Sequence, residues 1–98
     1  MVNRNLVERR LRELSTQLRE MRRELELVDE QLASLADVAD DARLRSLVSE
    51  TPLAEREHRE ASRHAEAMRR HRDEVVVDIA RLEQQQDELL DRLLADSD

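Results

Sequence analysis

The stretch VERRLRELSTQLREMRRELELVDEQLASL, residues 7–35, decides the fold. Through it run Val7, Leu11, Leu14, Leu18, Met21, Leu25, Val28, Leu32 and Leu35, at intervals that alternate four and three without a fault. An α-helix places residues at this spacing along one stripe, and a stripe with a 3.5-residue period is the seam of a coiled coil. With Leu11 at heptad position a and Leu14 at d, the frame continues through Ala39, Ala42 and Ser46.

Outward from this stretch, the next strong signal is Ser49-Glu50-Thr51-Pro52. Thr is a good N-cap, and Pro suits the first helical position because its missing N–H would have had no intrahelical partner there. The motif therefore starts a second helix. It sits near the midpoint, which predicts helix 1 over about 4–48, a turn over about 49–51 and helix 2 over about 52–96. The second arm keeps the same frame through Ala54, His58, Ala61, Ala65, Met68, Arg72, Val75, Ile79, Leu82, Gln86, Leu89 and Leu93.

Folding the arms back about residue 50 brings seam onto seam: Leu93 to Val7, Leu89 to Leu11, Leu82 to Leu18, Ile79 to Met21 and Met68 to Leu32. A shift of one heptad strands leucines or drives the turn through Pro52. Charge supports the same register. Residues 1–28 carry about +2 and 73–98 about −7, while 29–55 carry about −5 and 56–72 about +3, so basic stretches meet acidic ones in an antiparallel pair. The expected fold is all-α: a long antiparallel two-helix coiled-coil hairpin, each arm roughly 65–70 Å at about 1.5 Å per residue.

Arg72 and Gln86 interrupt the second seam at a positions. A guanidinium there must snorkel or find a carboxylate, and Asp29 is the candidate across the seam. Polar residues at a commonly fix register and orientation, and both are read as register-setting. Val76 and Leu90 at e positions, with Leu94, Leu6 and Leu27, are apolar off the seam. Val76, Leu90 and Leu94 are candidates for homodimerisation into a four-helix bundle, with a partner protein as the rival use of that surface.

Composition agrees with a solvated helical pair. The chain has 98 residues, 42% of them charged, with no Gly, one Pro and no aromatic residue. Compact mixed folds need turn residues and usually aromatic core volume. There is no Cys, which removes disulfides, thiolate metal sites and cysteine nucleophiles. All 17 basic residues are Arg, which hints at a GC-rich coding genome. No apolar run approaches the roughly 20 residues that span a bilayer, and the N-terminus lacks the apolar core of a signal peptide. A soluble cytoplasmic protein without a membrane partner is expected.

Chemistry is sparse. His64 and His71 are a heptad apart, about 10 Å along one face, too far to share a metal. Glu55 and His58 have the Glu-x-x-His spacing of di-metal carboxylate bundles, but Ala39, Ala42 and Ser46 face them, so the partner ligands are missing. Asp37, Asp40 and Asp41 form a small acidic cluster, read first as a solvated face. Arg9, Arg10, Arg12, Arg19, Arg22 and Arg23, with Arg69, Arg70 and Arg72, are mostly interleaved with Glu at spacings that predict intrahelical pairs. With a net charge of −7 and no aromatic for base stacking, direct nucleic-acid binding is not expected. No catalytic, cofactor or metal residues are assigned, and the expectation is a non-enzymatic protein.

The turn end carries Leu44, Leu47, Val48 and Leu53, all apolar and off the seam. Either the seam shifts there and they cap the hairpin, or they form an exposed apolar tip of the kind a protein-interaction module presents.

Two resemblances bear on this reading. Asn5-Leu6-Val7-Glu8-Arg9-Arg10-Leu11, Asp40-Asp41-Ala42-Arg43-Leu44-Arg45, Leu47-Val48-Ser49-Glu50-Thr51-Pro52-Leu53-Ala54 and the tail Gln86-Asp87-Glu88-Leu89-Leu90-Asp91-Arg92-Leu93 resemble small coiled-coil proteins of actinobacteria. That likeness implies a lineage and no activity. In layout, a long antiparallel hairpin with acids toward its tip resembles the coiled-coil domain of Gre-type transcript-cleavage factors, which inserts into RNA polymerase. This chain departs from their motif, with Leu53-Ala54-Glu55-Arg56 where those factors carry an Asn-Ala-Glu-Tyr-like run, and with no second domain. The functional expectation is a protein-binding regulator or adaptor that presents its hairpin to a larger machine, first of all RNA polymerase or a sigma factor. The alternative is a self-assembling scaffold of the cell-division or polar-growth kind.

Overall fold

The computed structural model describes residues 3–96. The protein is all-α, an antiparallel coiled-coil hairpin of two helices, α1 (Arg4–Ser49) and α2 (Pro52–Asp96).

Both helix starts are capped by side chains. The Asn3 carboxamide oxygen accepts the Leu6 N–H at 3.2 Å, and the Asn3 carbonyl accepts the Val7 N–H at 3.1 Å. Thr51 repeats the device for α2. Its hydroxyl accepts the Ala54 N–H at 3.2 Å and its carbonyl the Glu55 N–H at 3.0 Å, with Pro52 at the first helical position.

The end of α1 is less regular. Glu50 has φ of 51° and donates its N–H to the Ser46 carbonyl at 3.1 Å, closing the last turn in the left-handed cap usually given to glycine. A Cβ in this region costs on the order of 1–2 kcal/mol. The chain has no glycine, so an acidic residue carries that strain at the turn.

Two compact units make up the chain, Met1–Glu24 with Val75–Asp98 and Leu25–Glu74. In the first, Val7, Leu14 and Leu18 of α1 and Val75 and Ile79 of α2 form the buried core, with Leu14 and Leu18 fully enclosed. Arg22 reaches Glu83 at 3.6 Å along one flank, and Arg10 donates to the Gln85 carboxamide oxygen at 3.3 Å along the other. In the second unit the buried residues are Val28, Ala42, Ala54 and Ala65, and Arg72 donates to the Asp29 carboxylate. Each of these cross-helix pairs joins positions placed symmetrically about residue 50 to within about a turn and a half of helix, as an antiparallel register requires.

Burial follows the heptad frame closely. Every seam position from Val7 to Ser46 and from Ala54 to Leu93 is buried or half-buried. The remaining half-buried residues are Glu8, Ser15, Ala36, Ser62, Asp78 and Gln85, all at the e and g positions that flank a seam. The seam therefore stays in phase through Ser46 and Ala54 at the turn. Among the described residues no polar side-chain atom is buried without a partner, and no helix is long and apolar enough to cross a membrane.

Candidate functional site

The in-phase seam decides where the turn-end leucines go. Ser46 and Ala54 occupy the inward positions, so the intervening helical surface turns Leu44, Leu47, Val48 and Leu53 outward. Their exposures are 54, 62, 85 and 62%. Leu44 lies one turn before Val48 with Leu47 beside them, a small apolar patch on the last turn of α1. Leu53 stands in the first turn of α2. Arg43, Arg45, Glu50 and Arg56 are exposed around them, so the tip is apolar side chains rimmed by mixed charge.

Such an arrangement is suited to binding an apolar surface. It offers a few leucine- and valine-sized anchors within a rim of mixed charge. A large apolar side chain taken fully out of water contributes about 1.5–3 kcal/mol, so four anchors are enough for a specific contact if the partner supplies matching pockets.

Below the tip, in the unit Leu25–Glu74, the seam carries Ala39, Ala42, Ala54, Ala61 and Ala65, and shallow grooves lie beside it. One of 370 Å³ is lined by Val38, Ala42, Arg45, Glu57, Ala61 and His64, among others. A second of 330 Å³, almost wholly apolar, is lined by Leu35, His64, Ala67, Met68 and His71. Val38 is 51% exposed and was not singled out from the sequence. Its g position beside an alanine layer was the available signal.

His58 is half-buried at its seam position, while His64 and His71 are exposed along the g row. Among the described residues no group of three or more His, Asp or Glu side chains gathers as a metal site. Asp37, Asp40 and Asp41 are exposed on α1, and Asp40 joins Ala36, Ala39, Ser62, Ala65, Glu66 and Arg69 around a small groove on the other flank.

Arg72 and Gln86 are half-buried in the seam. The Arg72 guanidinium escapes the seam sideways to Asp29, with the two side chains 38 and 47% exposed. Snorkelling of this kind keeps the charge wet while its stem packs. The arginine-rich stretches divide between two behaviours. Arg10 and Arg69 pair within their helices, with Glu13 and Glu66, whereas Arg22 and Arg72 cross to the other helix. Exposed ion pairs differ by tenths of a kcal/mol, so spacing along one helix does not decide among the available carboxylates.

Val76, Leu90 and Leu94 are 39, 43 and 67% exposed on α2. Comparison with protein-family models, with curated proteins and with solved structures gave no match.

Proposed function

We propose that this chain is a non-enzymatic regulator or adaptor that presents its hairpin tip, residues 44–53, to a larger protein machine. The observation that carries the reading is the exposure of Leu44, Leu47, Val48 and Leu53 on a chain that otherwise holds its seam faithfully inward. Exposed leucine is common on protein surfaces, but apolar side chains gathered at the one turn of a highly charged hairpin mark an interaction site. The strained Glu50 cap fits this reading, because strain held at a turn is often associated with function.

RNA polymerase, or a sigma factor bound to it, is the partner we put first. Support for it is the layout resemblance to polymerase-inserting hairpins, an argument from analogy. Size-exclusion chromatography of the purified chain with polymerase core and holoenzyme tests it directly. Co-elution with wild type and its loss with Leu44→Asp/Leu47→Asp is expected. Free migration of the wild-type chain past both forms overturns the polymerase assignment.

A second reading, a self-assembling scaffold of the cell-division or polar-growth type, draws on a different observation. Val76, Val77, Leu90 and Leu94 expose apolar surface far along α2 from the tip residues in sequence. Long polymers visible by electron microscopy at physiological salt would favour it.

A further inference from the structure

The unit formed by Met1–Glu24 and Val75–Asp98 has two flanks, told apart by the contacts that cross them: Arg22 with Glu83 on one, Arg10 with Gln85 on the other. Helical spacing places the remaining residues of the Arg22–Glu83 flank. On α1 they are Arg19, three residues before Arg22, and Arg12, seven before that, with Ser15 and Glu8. On α2 they are Val76, Ala80, Asp87, Leu90 and Leu94, spaced three, four, seven or eleven residues from Glu83. The flank is thus split lengthwise into a basic row on α1 and an acidic and apolar row on α2.

Its charges find few opposite charges within the chain, although Arg19 donates to the Thr16 hydroxyl at 3.4 Å. Arg19 has no carboxylate three or four residues away on its own helix, and Arg12 has only Glu8, which pairs with Arg4 at 3.2 Å. Asp87 has no basic residue at those spacings. Among the described residues none of the three is held in an ion pair.

We propose that this flank binds the same flank of a second copy, about a two-fold axis parallel to the helices, with α1 of each copy over α2 of the other. That rotation lays each basic row on an acidic row. Asp87 comes level with Arg12 of the other copy, while Val76, Ala80 and Leu90 pack against the stems of the facing arginines and Leu94 comes level with Asn5 and Glu8. The other two-fold, across the helices, would set basic on basic and acidic on acidic, so charge selects the first. The contact closes on itself and gives a dimer and no filament.

Two helices of about 20 residues cover roughly 30 by 20 Å, or about 1,200 Å² in total from both copies, at the lower end of stable interfaces. A dimer of micromolar affinity is therefore expected. The inference is independent of the tip reading, since no residue of 44–53 takes part.

Sedimentation of the whole chain at tens of micromolar tests it, with circular dichroism on each variant to verify helix. Wild type is expected at twice its 11.6 kDa. Arg12→Glu/Arg19→Glu and Glu83→Arg/Asp87→Arg should each weaken self-association at least tenfold, and an equimolar mixture of the two should recover a dimer, because both contact zones then pair opposite charges. A monomeric wild type, a dimer indifferent to either swap, variants that fail to recombine, or open-ended assembly each overturns the proposal. If Glu83→Arg/Asp87→Arg fails to fold through the loss of the Arg22 partner, Leu90→Asp replaces it, with a monomer expected and a persisting dimer contradicting. Leu44→Asp/Val48→Asp, at tip positions off the row of Arg12 and Arg19, should leave the dimer unchanged, which separates this proposal from the tip.

Discussion

Truncating Leu18 to Ala and, separately, Leu47 to Ala sets the seam against the tip in one experiment. Leu18 is 1% exposed at an a position, and Leu47 is 62% exposed at a b position. Leu→Ala in a packed core costs about 2–5 kcal/mol, depending on how well the site collapses. A two-helix seam is thin, and neighbouring side chains and water close over a gap more easily than in a globular core. We therefore expect the lower half of that range, about 2–3 kcal/mol. Stability shifts of 1 kcal/mol move the midpoint of a chain this size by roughly 4–8 °C, so Leu18→Ala should lower it by about 10–20 °C. Leu47→Ala removes side-chain surface that is already wet and should change stability by less than about 0.5 kcal/mol. The assay is thermal unfolding by circular dichroism at fixed protein concentration, since self-association would raise both midpoints. Equal losses from the two substitutions would refute the heptad frame near the turn, and with it the exposed tip.

Three further outcomes follow from local structure. Glu50→Gly should raise stability by about 0.5–1 kcal/mol, because glycine holds the left-handed cap without a Cβ clash; a lower melting midpoint would contradict the cap geometry. Thr51→Ala should cost about 1 kcal/mol through the lost bond to the Ala54 N–H, and an unchanged melt would mean that water replaces the cap. Arg72→Leu should change stability by less than about 1 kcal/mol, since the Asp29 pair is more than a third exposed, yet it should broaden the range of oligomers seen by sedimentation. A single species as sharp as wild type would remove the register-setting role from Arg72.

Much of the hairpin is legible in the residues because one physical signal dominates. Leucines at alternating intervals leave no other secondary structure that buries them together, and a Thr-Pro start after a charged turn says where the chain reverses. Even the Arg72–Asp29 contact follows, since a guanidinium at an a position has few carboxylates within reach once the register is set. The tip was less legible. Leu44, Leu47 and Val48 are spaced such that a small phase shift would turn them inward. Only the burial of Ala54 and half-burial of Ser46 resolves the choice. Ion-pair partners were harder still. Arg22 has Glu26 one turn ahead on its own helix and yet meets Glu83 across the hairpin, a difference that weak surface electrostatics leaves to side-chain geometry. Val38 and the grooves beside it escaped notice because a pattern of apolar spacing records where side chains are, and says little about the hollows that alanine layers leave.

The measurement that bears most directly on tip presentation is capture of partners from the native host by tagged wild-type chain and by Leu44→Asp/Leu47→Asp, read by mass spectrometry under native conditions. The account predicts that one machine is recovered in stoichiometric amount with wild type and lost with the tip variant. Equal recovery by both baits would contradict it, as would recovery of the chain alone.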